Sequence, residues 1–397
     1  MSVVKSSRLR AVAVIGVLVL TAAACGSSKK STGAATATTA SGGGSATHVK
    51  IGFFGALTGP NAQLGINEYN GEELAVNQFN KKGGTQVDLV KYDSQGDPAQ
   101  APQLAQKVIT DKTVAVVGPA FSGESKAADP IFEQAGIVNI TASATNPALA
   151  DNGWKYFHRA VGNDNSQGPA AAEYIVKKLK AKTVAVVDDN EEYSLGIADI
   201  VRSTLKADGV NVAVSDHIDK NAQDYSATVN KIKPANVDAI FYGGYYSEGG
   251  RFLKQLRDAG ITAPWVSDDG AEDPKLIDSA GASAAEGALM TCPCGDITTN
   301  PAAAAFVSDY TALAGSPPGT YSAEAFDATN VILQAIAAGK TTSKDINDYL
   351  ATVSYTGLTK TLKFDAKGEV AANTIYVYEV KGGKVVFDGS VNQLVGG

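Results

Sequence analysis

Three hydroxyl-bearing or carbonyl-bearing positions at strand ends offer the plainest chemistry in this sequence. Ser122 follows the apolar run TVAVVGPA (113–120) and opens a helical stretch, so its hydroxyl and the amides behind it face the positive end of a helix dipole. Such a place receives a carboxylate. Thr145 follows the run IVNITASA (137–144). Its hydroxyl can accept a proton from an ammonium while its backbone N–H donates to a carboxylate, and the carbonyl of Ser143 can take a second ammonium proton. Together these groups would hold a zwitterion by both charged ends. Ser and Thr also cap helices and turns, and that structural role is the alternative for each. The remaining strand ends are equally polar: DDNEEYS (188–194), GGYYSEGG (243–250) and SDDG (267–270).

Such ends have to be positioned by sheets. From His48 short apolar runs alternate with amphipathic helices at a spacing of roughly thirty residues. The runs are VKIGFFGAL (49–57), VDLVKYD (87–93), TVAVVGPA and IVNITASA, then TVAVVDDN (183–190), VNVAVSDHI (210–218), VDAIFYGG (237–244) and APWVSDD (263–269). Near-continuous Val, Ile and Ala suit strands covered on both faces. Helices start at signals such as Asp97-Pro98 and Asp224, and several stop at Gly, as in KKGG (81–84), EQAG (133–136), KADG (206–209) and RDAG (257–260). This alternation predicts an α/β chain with doubly wound parallel sheets and right-handed crossovers. The first four runs make one sheet and the four from 183 a second. KYFHRAVGNDNSQGP (155–169) reads as a segment crossing between them. After 295 the pattern turns helical and ends in strand-like TLKFD and TIYVYEV. The late helices are expected to cover the first sheet and the tail strands to join the second. In open α/β sheets ligands bind beyond the carboxyl ends of the strands, so two facing edges would enclose a cleft.

The N-terminus points to export. Lys5, Arg8 and Arg10 precede AVAVIGVLVL (11–20), a run too short to span a bilayer and of the length of a signal-peptide core. TAAACG (21–26) puts small residues before Cys25, the pattern a lipoprotein signal peptidase cleaves, after which the Cys25 sulfur carries lipid. A plain signal peptide cut after Ala-x-Ala, with Cys25 incidental, is the alternative. Residues 26–47 hold no large apolar side chain and read as a flexible tether reaching about 25 Å. The expected division is therefore a signal peptide over 1–24 and a lipidated Cys with its tether over 25–47. About 350 residues remain, more than one ordinary core, which predicts two lobes. The net charge of −7, with acids and bases interspersed, argues against a nucleic-acid partner. Cys292 and Cys294 in TCPCG are too few for a four-ligand zinc site; a small disulfide in an oxidising compartment and two unpaired thiols both remain open.

The same strand ends carry a family likeness. GALTGPNAQLGINEYNGEELAVNQFNKKGG (55–84), VKYDSQGDPAQAPQLAQKVI (90–109), ITASATNPALADNG (140–153), RAVGNDNSQGPAAAEYI (159–175) and FYGGYYSEGGRFLKQLRDAG (241–260) resemble the leucine/isoleucine/valine-binding proteins of ABC importers, and the likeness runs from 49 to about 390. It implies the type I periplasmic binding protein fold: two doubly wound parallel-sheet lobes joined by three hinge crossovers. Lobe 1 would be 48–163 plus 295–371, and lobe 2 164–294 plus 372–397. The family's carboxylate and amine contacts fall on Ser122, Ser143 and Thr145. Its acidic partner for the ammonium falls on Asp269, a shorter Asp where Glu is usual, with Asp268 beside it as a solvated neighbour. Tyr193 and Tyr245 occupy the second-lobe strand ends where a phenol can close over a ligand. Tyr321 corresponds to an aromatic of the side-chain pocket, which Ala120, Leu64 and Phe121 complete. Leu64 stands where Tyr is common and Phe121 where a small residue is usual, so the pocket is apolar and reshaped.

The resemblance further implies a monomeric receptor, anchored to the outer face of the cell membrane by its lipid alone. It would capture an apolar, branched-chain or related L-amino acid by lobe closure and deliver it to an ABC permease and ATPase, with no cofactor and no metal. A lipoprotein that senses an amide or organic acid for a signalling partner is the alternative. An enzyme is the poorer reading. There is no Gly-x-Ser-x-Gly elbow and no His-Glu-x-x-His. Only His48, His158 and His217 are present, and Gly339-Lys340-Thr341 lacks the upstream glycine of a phosphate loop because Gln334 stands there.

Overall fold

The computed structural model describes residues 48–372 and 374–396; the signal segment, Cys25 and the tether lie outside the described residues. The first sheet contains β1 (His48–Gly55), β2 (Gln86–Asp93), β3 (Ala115–Val117), β4 (Val138–Thr141) and β5 (Phe157–Arg159), all parallel, in the order β2-β1-β3-β4-β5. The second is built on β6 (Thr183–Asp188), β7 (Asn211–His217), β8 (Ala239–Gly243), β9 (Trp265–Ser267) and β10 (Leu289–Cys292), also parallel. A short ribbon, β11 (Tyr355–Thr356) with β12 (Thr361–Leu362), stays apart from both. The hairpin β13 (Tyr376–Lys381) and β14 (Lys384–Ser390) then completes the second sheet antiparallel, giving β14-β13-β10-β9-β8-β6-β7.

The chain thus forms two doubly wound lobes and passes between them after β5, after β10 and before β13. Several details differ from the sequence pattern. The segment read only as a crossing contains β5, whose Phe157, His158 and Arg159 are all buried. The fourth run is therefore not the last strand of its sheet. TVAVVGPA yields only three strand residues, because Gly118 takes φ 117 and a Cβ there would sit 2.3 Å from the Phe54 carbonyl oxygen. Of the tail strands, TIYVYEV joins the second sheet as expected, whereas TLKFD gives the separate ribbon and, at Phe364, an isolated antiparallel bridge to Val370.

Each sheet is covered on both faces, which explains the apolar runs. Against one face of the first sheet, the helices Ala62–Asn80 and Ser322–Ala337 pack Leu74, Ala75, Val331 and Ile332 onto Ile51, Val117 and Ile140. The late helices therefore do cover the first sheet. On the other face Val108 and Phe132, from the helices Ala101–Thr110 and Ser122–Ala135, meet Phe54 and Tyr92. In the second lobe, Ile197, Val201 and Leu205 of the helix Glu192–Ala207 cover one face, and Phe252, Leu253 and Leu256 of the helix Tyr246–Asp258 the other. Full burial of each such side chain contributes about 1.5–3 kcal/mol, so the lobes are held mainly by these layers. No helix among the described residues is long and apolar enough to cross a membrane.

Strand order reverses direction between β1 and β3 in the first sheet and between β6 and β8 in the second. The carboxyl ends at such switch points splay apart and open a crevice.

Candidate ligand-binding site

A cavity lies where the two crevices face one another. Leu64, Glu68, Ala120, Phe121, Ser122 and Ser143 line it from the first lobe, Tyr193, Tyr245, Asp269 and Gly270 from the second, and Tyr321 from the start of a late helix. Nine of the ten expected ligand and pocket residues thus stand together. Thr145 is the exception: it is fully buried beside the cavity and does not line it.

The first-lobe wall is tied down by its own hydrogen bonds. Phe121 is extended (φ −107, ψ 145) and donates its N–H to Glu124 Oε2 at 3.3 Å, while Ser94 donates its hydroxyl to the other oxygen of Glu124. Ser122 therefore begins the helix Ser122–Ala135 with its hydroxyl accepting the Asn146 N–H at 3.2 Å. Ser143 donates its hydroxyl to the Ala120 carbonyl at 2.6 Å, binding the ends of β3 and β4 together. Arg159, with no exposed surface, donates to the carbonyls of Ala144 (2.6 Å) and Asn146 (3.0 Å) on either side of Thr145. Its remaining N–H groups grip Glu369 in a two-point ion pair at 3.1 and 2.8 Å.

The second-lobe wall is acidic. Asp269 accepts the hydroxyls of Tyr193 and Tyr321, one on each carboxylate oxygen, both at 2.7 Å. Burial raises its pKa, while the two phenols oppose the rise. Tyr321 adopts φ 65, a left-handed conformation that costs a non-glycine residue roughly 1–3 kcal/mol and is held here by its surroundings. Gly270 donates its N–H to the Tyr193 hydroxyl at 3.2 Å. A Cβ on Gly270 would lie 2.7 Å from the Gly244 carbonyl and 2.9 Å from the Tyr193 ring, so only glycine fits. The Tyr245 ring meets Phe121 edge-on at 5.1 Å and Tyr193 at 5.3 Å, forming an aromatic layer shared by both lobes.

Asp268 is not solvated, contrary to the sequence expectation. It has no exposed surface, accepts the Gly244 N–H at 3.1 Å through one oxygen, and has no hydrogen bond at the other within the described residues. The loop folds inward because Ser267 and Asp269 on either side are also buried against the sheet end. Behind these two stands Asp164, fully buried, with Thr145 facing it but no well-formed hydrogen bond to either oxygen. Burial, followed by repulsion from Asp269, raises the pKa of both Asp164 and Asp268 well above the usual carboxylate range.

Contacts around the rim join the lobes. The Gln63 N–H donates to the Tyr246 hydroxyl at 3.0 Å, the Asn146 amide to the Glu192 carbonyl at 2.9 Å, and Lys126 pairs with Glu192 at 2.6 Å. The histidines play structural parts: His158 bonds Asn347 at 2.8 Å, with burial pushing its pKa down to about 4, and His217 bonds Asp188 at 2.5 Å. Cys292 and Cys294 are joined in a disulfide. Among the described residues, the group of Glu272, Cys292 and Cys294 has metal-ligand spacing, but its two sulfurs are bonded to each other.

Sequence reasoning missed Glu68 and Asp164. Glu68 had a signal: it lies four residues after Leu64 on one helix, so a Leu64 that faces the pocket brings Glu68 with it. Asp164 had none beyond its place in the crossing segment.

A cleft between two doubly wound lobes, lined by a helix N-terminus and a buried acid, is an arrangement for holding a small solute. The profile of the periplasmic binding protein family matches residues 48–384. The chain belongs to the periplasmic binding proteins. As a member it is an exported solute-binding protein and not an enzyme. It is 34% identical to the leucine-, isoleucine-, valine-, threonine- and alanine-binding protein of Pseudomonas aeruginosa, over 84% of this chain and 90% of that protein. It is 35% identical to the Leu/Ile/Val-binding protein of Escherichia coli, over 84% and 91%. Among solved structures, the branched-chain amino acid transporter substrate-binding protein LivJ of Streptococcus pneumoniae, in complex with isoleucine, superposes with a TM-score of 0.79 at 31% identity, covering 86% of this chain and all of that one.

Proposed function

We propose that this periplasmic binding protein captures an apolar L-amino acid, branched-chain or related, and delivers it to an ABC importer. The observation that carries the reading is the opposed polarity of the cavity walls. The helix N-terminus at Ser122 suits the ligand carboxylate, and Asp269, held between Tyr193 and Tyr321, suits its ammonium across the cleft. Ser143 adds a backbone contact from the cavity wall, Thr145 adds one only if its unpartnered hydroxyl, buried beside the cavity, turns to the ligand, and Leu64, Ala120, Phe121 and Tyr321 enclose the side chain together with Tyr245. The relatives named above, whose names specify aliphatic amino acids, support the same class.

Capture works by closure. Lobe 1 (48–163 plus 295–371) takes the ligand first, and lobe 2 (164–294 plus 372–397) swings over it about the three crossovers, shifting an open–closed equilibrium. The closed form docks as a monomer on the permease. Calorimetric titration of the purified protein against the twenty amino acids, a few amides and sugars tests the ligand class. Binding of aliphatic L-amino acids with a ligand-induced fall in radius of gyration is expected; a protein that binds a sugar, amide or organic acid and no amino acid refutes the reading. Cys25 carries the lipid anchor, so Cys25→Ser should release the protein from membranes. Unchanged membrane retention of that variant would reject the anchor alone.

A further inference from the structure

Tyr321 lines a second cavity as well as the cleft, and this one has a volume of about 220 Å³. It stands where the chain leaves β10 for the first lobe. Asp296 comes from that crossover, Tyr378 and Phe387 from the hairpin β13–β14, Glu324 from the helix Ser322–Ala337, and Glu272 from the loop after β9. The lining thus combines three acids with the rings of Tyr321, Tyr378 and Phe387, and among the described residues it includes no basic side chain. The Tyr378 and Phe387 rings meet edge-on with centroids 5.4 Å apart. Both tyrosine hydroxyls are engaged by protein, Tyr378 on the Cys294 carbonyl at 3.0 Å and Tyr321 on Asp269 at 2.7 Å, so the rings supply the chemistry of that wall.

The acids lack cationic partners inside the cavity. Glu324 meets Lys360 at 3.5 Å, but Lys360 does not line this cavity. Asp296 accepts the Thr298 N–H and hydroxyl, at 2.8 and 2.6 Å. Glu272, 7% exposed, accepts the Thr320 hydroxyl. Burial pushes its pKa up to about 8, so it holds a proton that a cation beside it would displace. A single metal ion does not suit these acids. Among the described residues only Glu272, Cys292 and Cys294 approach closely enough to share one, and those two sulfurs are bonded to each other. Separated carboxyls around aromatic walls suit a larger, weakly hydrated cation, which the ring faces attract and the acids neutralise.

We propose that this cavity binds a small organic cation, a quaternary ammonium or alkylamine of the size of choline, held against Tyr378 and Phe387 and facing Asp296 and Glu324. The site is separate from the cleft and does not rest on the amino-acid reading.

The test is equilibrium dialysis of the purified protein against radiolabelled choline, with Asp296→Asn and Phe387→Leu as variants, each first checked for folding by circular dichroism. Wild type should bind choline with a Kd of about 1 mM or tighter. Tetramethylammonium should displace it, and the uncharged isostere of choline, with carbon in place of nitrogen, should not. Each variant should weaken binding about threefold or more, Phe387→Leu by removing a ring while keeping an apolar side chain and Asp296→Asn by removing a charge while keeping the turn. No saturable binding of choline by wild type overturns the proposal, whether or not the variants fold. Displacement by the uncharged isostere as readily as by tetramethylammonium also overturns it, since the cavity would then be merely apolar. Undiminished affinity in either folded variant places the choline elsewhere and refutes the site, as does its displacement by whichever amino acid fills the cleft.

Discussion

The two walls of the cleft reach the cavity in opposite states. In the first lobe Ser122 and Ser143 already have protein partners, Asn146 and the Ala120 carbonyl, and Arg159 pins the backbone on both sides of Thr145. In the second lobe Asp268 keeps one oxygen unpaired and Asp164 both, next to an Asp269 whose charge repels them. A surface that satisfies itself is ready before the ligand arrives. A surface crowded with acids is stable only when protonated or when a cation enters. The first wall is thus suited to recognise and the second to respond, which is what the proposed closure of the second lobe over the ligand requires.

The sharpest way to break this contrast is to remove the charge that responds. Asp269→Asn keeps the size and the two phenol contacts, and should weaken amino-acid binding by about 3–5 kcal/mol, roughly two to three and a half decades in Kd, because the ligand ammonium is left without its carboxylate. Asp268→Asn should behave differently. It removes the cost of protonating a buried acid on folding, so the ligand-free protein should melt a few degrees higher at pH 7, with affinity changed far less. If Asp268→Asn is the variant that abolishes titration with the best amino acid, the roles of the two neighbours are exchanged.

Thr145 sharpens the contrast from the other side. Its hydroxyl has no well-formed hydrogen bond within the described residues, so Thr145→Val costs the fold little. A single ligand hydrogen bond is worth about 0.5–1.5 kcal/mol, and the affinity should fall up to about tenfold with the melting temperature unchanged or slightly raised. A large loss of melting temperature with unchanged affinity would assign Thr145 to the fold and not to the ligand.

A separate check lies in the pH profile of the ligand-free protein. Burial holds Glu68 and Glu124 protonated up to about pH 8 in the fold, whereas an unfolded chain releases such protons near about 4.3. Between those values the folded state binds more protons than the unfolded one, so stability falls as pH rises from about 4.5 to about 8. Differential scanning fluorimetry should show the melting temperature declining over that range, with a shallower slope in Glu124→Gln. A melting temperature that climbs from pH 5 to pH 8 would show that these carboxyls are ionised in the fold.

The layered architecture was legible because a strand covered on both faces must be almost wholly apolar, and a helix that packs on it must stop where glycine lets it turn. The short strands were not. β5 consists of Phe-His-Arg, and nothing in those residue types announces a strand; it is buried by late segments, where His158 meets Asn347 and Phe364 and the Arg159 N–H donates to the Gly368 carbonyl. The positions of Ser122 and Ser143 were legible because strand ends have to converge on the crevice, whereas Asp269, Tyr193, Tyr245 and Tyr321 were legible through the family likeness, Tyr321 standing at a helix start and not at a strand end. Asp268 was misread because two adjacent acids in a loop ordinarily face water, and only the inward fold of that loop decides otherwise. Glu68 was missed for a related reason. A glutamate on an amphipathic helix is usually solvated, but the helix Ala62–Asn80 is buried along the line that joins Leu64, Glu68 and Glu72.

The Arg159–Glu369 pair has a consequence beyond holding a loop. It joins the end of β5 to the segment leading into the last crossover, and Glu369 also accepts the Asn163 amide from the first crossover at 3.2 Å. Neither residue lines the cavity. The groups that support the Ser143–Thr145 wall are therefore anchored apart from the side chains that line the rest of the cavity. Leu64, Glu68 and Phe121 can be exchanged without disturbing that anchorage, so the solute this scaffold accepts can be reassigned while its supporting wall is inherited unchanged.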